Sequence, residues 1–257
     1  MGKLWRRIDM SARMTSSGNG VVRAALEDDF HHFRVEVHAA HGKVDKVRGD
    51  ALRNPNTLCP SAADQLQDLL GAELSPYSYS VLRQTDARQQ CTHMIDLAGL
   101  AIAAGSRGDT NRTYMAEVVD AGNGKPRQAS LFRNEQLCLE WSFLGRDKGD
   151  IIAAPEDMAG LPLGRGFTNW ASTLDDPEAS EAALVLRRAI FISHGRKYDL
   201  DAPGNQRGPI GGCWAWQPER ADQAERVIGS TYDFTDRSED LLAESLNWLN
   251  FEEERAD

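Results

Sequence analysis

Acids and adjacent histidines crowd one short segment, Leu26-Glu27-Asp28-Asp29-Phe30-His31-His32. Imidazole titrates near neutrality, and a neighbouring carboxylate fixes which ring nitrogen holds the proton. Asp29 beside His31 and His32 therefore suits proton transfer. The competing reading is a solvated hairpin loop. A second segment, Thr85-Asp86-Ala87-Arg88-Gln89-Gln90-Cys91-Thr92-His93-Met94-Ile95-Asp96, opens a helix. Backbone N–H groups at a helix start favour anions, so a thiol at Cys91 is expected to ionise more easily than usual. Arg88 can hold a carboxylate or phenolate. Asp96 shares a helical face with His93, three residues before it. Here the competing reading makes Cys91 a small buried hydrophobe, His93 a core histidine, and Asp86 with Arg88 a structural pair.

Other positions could line a pocket. Arg187 and Arg188 sit in an apolar helix, which costs free energy unless each is paired or opens into a cavity. His194 follows on the Arg187 face, with Phe191 between. An internal ion pair and an anion-binding wall both fit. Trp214 and Trp216 are expected on one face of a strand, either in the core or beside a flat ligand. Cys59 completes the candidate pocket residues. The His and Cys spacings match no zinc signature, so no metal is expected. GxSxG, GxGxxG and Walker A motifs are missing, so hydride transfer and nucleotide hydrolysis are not expected, nor is an organic cofactor.

Stepping outward, residues 6–14, 21–26, 33–38 and 44–52 read as an antiparallel meander, the third with clear period-two alternation. Ser61 and Asp64 mark a helix start by a capping-box pattern, and Gly71 stops it. A second helix is expected over 92–104 with Gly105 as its cap. Strands return over 114–119, 129–133 and 137–144, with 120–126 as a hairpin connection and 134–136 as a tight turn. Residues 155–166 are loop-rich. Asp176 and Pro177 open the strongest helix, ended by Gly195. Residues 204–212 form a glycine-rich loop, 238–251 an amphipathic helix, and 251–257 an acidic tail. The fold class is α+β: an antiparallel sheet formed by strands of both halves, with the long buried helix packed across it.

The chain has 257 residues and a net charge of −10, from 39 Asp plus Glu against 29 Lys plus Arg. A chain of this length buries roughly 70–75% of its unfolded surface, so its core needs no disulfides. The acidic balance argues against nucleic acid, whose phosphates need a basic face. No run of about 18 apolar residues exists for a membrane span, and the start of the sequence lacks the apolar stretch of a secretory signal. Four cysteines without CxxC spacing point to reduced thiols in a cytoplasm.

The chain resembles the bacterial "domain of unknown function 2889" family. The resemblance rests on Arg6-Arg7-Ile8, on 26–33, on Thr57-Leu58-Cys59-Pro60, and most fully on Thr85-Asp86-Ala87-Arg88 with 91–97. Leu186-Arg187-Arg188-Ala189 and Gly229-Ser230 add to it. It covers most of the chain, which implies one domain over 1–250. The family name carries no activity. The resemblance does imply bacteria that degrade aromatic or steroid compounds.

These residues lead to the expectation of a cofactor-independent lyase or isomerase acting by acid–base catalysis on a small hydrophobic aromatic or polycyclic molecule. His31 or His32 and His93 would exchange protons, Asp29 and Asp96 would orient the imidazoles, and Arg88 would stabilise an oxyanion. Asp86, Cys91, Cys59, Arg188, His194 and Trp214 would contact substrate. A metal-dependent hydrolase or lyase using His and Cys ligands, and a non-enzymatic ligand-binding or assembly protein, are the alternatives. A homo-oligomer is left open.

Overall fold

The structure is a computed structural model and describes residues 2–120, 125–145, 149–202 and 210–252. It is α+β, with antiparallel strands from both halves of the chain and helices packed on them. Two compact units emerge. The larger comprises Ile8–Arg112, Asp199–Tyr232 and Leu242–Asp257, and the smaller Met1–Arg7, Thr113–Tyr198 and Asp233–Leu241.

In the larger unit, β1 (Lys3–Met14, from Ile8 on), β2 (Gly20–Asp28), β3 (His32–Ala40) and β4 (Lys43–Arg53) run in the order β4-β3-β2-β1. Alternation in β3 turns Phe33, Val35, Val37 and Ala39 inward. His41 and Gly42, both at positive φ, join β3 to β4 as a two-residue turn whose twist matches the strands. Helix α1 (Thr92–Arg107) packs on β2 and β3. Gly99 lets it approach the chain at Ser78, whose carbonyl oxygen lies 2.2 Å from where a Cβ would stand. The expected stop at Gly105 falls inside the helix, against Val22. Gly108, at φ 73°, is the actual cap.

The smaller unit holds most of β5 (Asn111–Val119), with β6 (Arg127–Arg133), β7 (Gln136–Leu144) and β8 (Ile151–Ala154), paired in sequence order. Asn134 and Glu135, both at positive φ, make the expected tight turn. A short α2 (Phe167–Ala171) precedes α3 (Pro177–Ser193), which packs on β6 and β7. Asp176 caps α3 by accepting from the Glu178 N–H at 2.9 Å, with Pro177 in the first turn.

Three expectations are corrected. Pro60–Leu69 is a 3-10 helix without a side-chain cap, and Ser61 Oγ donates to the Leu58 carbonyl instead. Cys213 leads into a 3-10 turn, Trp214–Trp216, so the two tryptophans do not share a strand face. The helix expected over 238–251 is broken. Ser238–Asp240 and Ala243–Ser245 are 3-10 turns, and only Leu246–Leu249 (α4) is α-helical. Leu242 lies between them at φ 66°, because its N–H donates to Glu27 Oε2 at 2.6 Å. Residues 121–124 of the expected hairpin connection, 204–209 of the glycine-rich loop and 253–257 of the acidic tail lie outside the described residues. Among the described residues, no helix is long and apolar enough to cross a membrane.

Candidate active site

The acid- and histidine-rich segment is not a solvated loop. Asp28, Asp29, His31 and His32 are all buried where β2 turns into β3. Asp28 makes the turn. Its Oδ1 accepts from the Phe30 and His31 N–H groups at 2.9 and 3.0 Å, and from the His31 ring Nδ1 at 2.8 Å. A carboxylate occupied by two backbone donors can only accept from the ring. The His31 ring therefore donates from Nδ1 to this carboxylate.

The His31 ring stacks on His93, 62 residues away, with centroids 3.8 Å apart and planes 29° from parallel. Phe33 stacks on both rings at 5.7 Å, and Phe30 meets His31 edge-on. His93 comes from the first turn of α1, which β2 and β3 carry. Both histidines are buried, with exposures of 7% and 9%.

His32 faces a different set of groups. Its Nε2 lies 2.6 Å from Ser245 Oγ, which also accepts from Arg34 Nε at 2.9 Å, and its Nδ1 is 3.6 Å from Glu27. Burial, with Arg34 and Arg53 adding to it, pulls the His32 pKa down to about 4. Ser245, His32 and Glu27 have the order of a nucleophile, base and acid. Ser245, however, is completely buried and its oxygen is taken by Arg34. The trio fastens the 242–249 segment to the strands. Arg34 also donates to the Glu244 carbonyl. Burial raises the Glu27 pKa, against the opposing pull of the Leu242 N–H and Arg53. Arg53 donates to Glu27, to the Asp28, Asp29 and His31 carbonyls, and to Ser230. Asp29 is fully buried, and its carbonyl also accepts from Tyr232 N–H at 2.7 Å.

The remaining expected residues fall elsewhere. Asp86 and Arg88 are exposed, and Asp86 Oδ1 accepts from the Arg88 backbone N–H in a local turn. Arg88 thus stands on a surface turn, not among the stacked imidazoles. Asp96 is half-buried one turn after His93. Cys91 does occupy the helix cap, yet its thiol is pushed up to about 11, because burial outweighs the His93 and Met94 N–H groups. Cys59 rises to about 12 for the same reason. Hydrogen bonds from Trp214 to the Gln90 carbonyl (3.1 Å) and Ser61 (3.3 Å) draw the chain around Cys59, Cys91 and Cys213 together. None of the four cysteines is in a disulfide. Arg188 and His194 belong to the smaller unit, where His194 pairs with Asp150 at 2.5 Å. Arg187 donates to the Leu163 carbonyl at 2.8 Å.

The residues that sequence reasoning missed are Asp28, Phe33, Arg53 and Ser245. For Asp28 a signal existed: an Asp at a strand end, three before a histidine, is the spacing of a side chain that closes a turn on its own backbone. Among the described residues, no three of His, Cys, Asp and Glu are arranged to hold a metal ion.

No curated protein matches the chain. Residues 6–104, which contain the Asp28 turn, both stacked histidines and nearly all of α1, match the model of a protein family of unknown function, DUF2889.

Proposed function

We propose that the larger unit is a cofactor-independent acid–base catalyst, a lyase or isomerase, working on a small hydrophobic aromatic or polycyclic molecule. The observation that carries this reading is the Asp28–His31–His93 arrangement. Asp28 holds His31 in the tautomer that leaves Nε2 as a base, and it offsets the charge when that nitrogen takes a proton. His93, stacked on the same ring, is the second proton-transfer group. The base removes a proton next to a carbonyl or an activated ring carbon. A double-bond shift or the cleavage of a C–C or C–O bond then follows. Phe30 and Phe33 make the surroundings aromatic, which favours an apolar substrate. Of the adjacent histidines, His31 is the base, because His32 stays neutral at pH 7 with Ser245 and Glu27 at its two ring nitrogens. Reduced thiols in a cytoplasm suit four unbridged cysteines.

Proton abstraction can be read without knowing the product. Cyclic ketones and enones incubated in D2O with the protein should gain deuterium at carbon, as measured by mass spectrometry. His31→Ala should slow that exchange about 100-fold or more, the usual scale for losing a positioned base, and His93→Ala should slow it as well. Exchange that proceeds equally in wild type and both variants would sink the assignment.

A further inference from the structure

The smaller unit contains a cavity that the proposed chemistry does not use. It measures about 520 Å³ and opens between β7, α2 and the first half of α3. That is within the range of roughly 300–1,000 Å³ typical of small-molecule sites. One wall is aromatic: Trp141 from β7 and Trp170 from α2, linked through Phe167, which meets Trp141 edge-on at 5.8 Å and lies 5.0 Å from Trp170. The opposite wall is Ala179, Ala182 and Ala183 of α3, and these small side chains leave the space open.

An independent observation points to what fills it. Trp141 is fully buried, and its indole N–H makes no hydrogen bond among the described residues. A buried donor without an acceptor is costly and rare in folded proteins. Trp141 is also among the residues that line the cavity. The charged group on the lining is Asp157, an exposed carboxylate, and the chain as a whole is acidic. Both disfavour an anion.

We infer that this cavity is a binding site for a neutral, flat, apolar molecule of two or three fused rings bearing one hydrogen-bond acceptor, whose acceptor takes the Trp141 indole N–H. The rings stack between the tryptophans and the alanine face of α3. The site lies wholly within the smaller unit, so it stands or falls separately from the acid–base assignment.

Three naphthalenes test it on the full chain by calorimetric titration. 2-Acetylnaphthalene carries the acceptor, 2-ethylnaphthalene lacks it, and 2-naphthoate carries a negative charge. The acetyl compound should bind saturably, about tenfold more tightly than the ethyl compound, and the naphthoate more weakly than the acetyl compound. Trp141→Phe keeps a ring and removes the N–H, and it should erase the acetyl-over-ethyl preference. Ala179→Trp places a large side chain from an exposed position into the cavity, and it should abolish binding of both with the circular dichroism spectrum unchanged. The inference is overturned by an absence of saturable binding up to the solubility limit. It is equally overturned if the acetyl preference survives in Trp141→Phe, if binding survives in Ala179→Trp, or if naphthoate binds best.

Discussion

The two units bury different kinds of side chain. Within the larger one, Arg23, Glu27, Asp28, Asp29, His31, His32 and His93 are all buried. Within the smaller one, the buried charged residues among those described are Arg6 and Glu181, and the interior is mostly apolar, with Tyr114, Leu131, Trp141, Phe143, Ile152 and Phe167 among its large side chains. A polar interior must satisfy every donor and acceptor, which fixes geometry closely and ties stability to pH. An apolar interior obeys volume alone and can leave room, as the alanine face of α3 does. One unit therefore offers positioned proton-transfer groups, and the other offers space lined in part by Trp141, whose indole donor is unmet among the described residues. If the contrast is physical, substitutions of polar groups should cost most where the polar interior is densest.

The largest effect is expected at Asp28. Asp28→Ala leaves two backbone N–H groups and the His31 ring without their acceptor in a site closed to water. Losing partners of buried groups at this scale costs about 3 kcal/mol or more. Urea unfolding would measure the loss, and hydrogen exchange should place it on the β2 and β3 amides. A cost below about 1 kcal/mol would mean that the turn holds without its carboxylate.

Next comes pH. The folded pKa of His32 is about 4, below the ordinary 6.5. Between those values the unfolded chain binds more protons than the folded one, so stability rises with pH across this window. The contribution is fully present above about 6.5 and is lost as pH falls towards 4. A shift of this size corresponds to about 3 kcal/mol. Glu27, raised by burial, contributes with the opposite sign at the acid end. The His32 part is therefore the difference between wild type and His32→Gln in Tm measured from pH 7 to pH 4. Identical slopes would remove His32 as the cause.

The smaller unit should respond less. Tyr114 donates its phenol hydrogen to Glu181 Oε1 at 2.7 Å, both fully buried. Tyr114→Phe keeps the packing and removes one donor, at a cost of about 1–2 kcal/mol in urea unfolding. A cost above that of Asp28→Ala would reverse the ranking of the two interiors.

What the sequence made legible follows the range of the forces involved. The β3 alternation, the Asn134-Glu135 turn and the Asp176-Pro177 helix start are all decided by neighbours within a few residues, and all stand as read. The C-terminal helix was not legible, because Leu242 gives its N–H to Glu27, 215 positions away. Position at a helix start was readable for Cys91, but the burial that pushes its thiol up to about 11 was not. Of the two adjacent histidines, the structure stacks His31 on His93, and the carboxylate bonded to the His31 ring is Asp28, where the sequence reading names Asp29. A turn closed by an Asx side chain selects Asp28, whose oxygen reaches the N–H groups two and three residues ahead. For Asp86 and Arg88 the sequence leaves charge chemistry and a structural pair both open, and in the structure their hydrogen bond closes a surface turn.

The smallest effect is expected from a pair in the same unit as Asp28 but outside its interior. Lys43 and Glu73 approach to 3.9 Å with side chains 57% and 82% exposed. Water and salt screen such a pair, and holding two long side chains in place offsets much of the attraction. Glu73→Gln should change the unfolding free energy by less than about 0.5 kcal/mol, and still less at high salt. This variant separates charge from burial as the cause of the contrast. If Glu73→Gln approached the cost of Asp28→Ala, the larger unit would be sensitive to any carboxylate, and the enclosed turn around His31 would not be special. A negligible change beside a large one at Asp28 places the sensitivity in the enclosed acceptor itself, the group that sets the His31 tautomer.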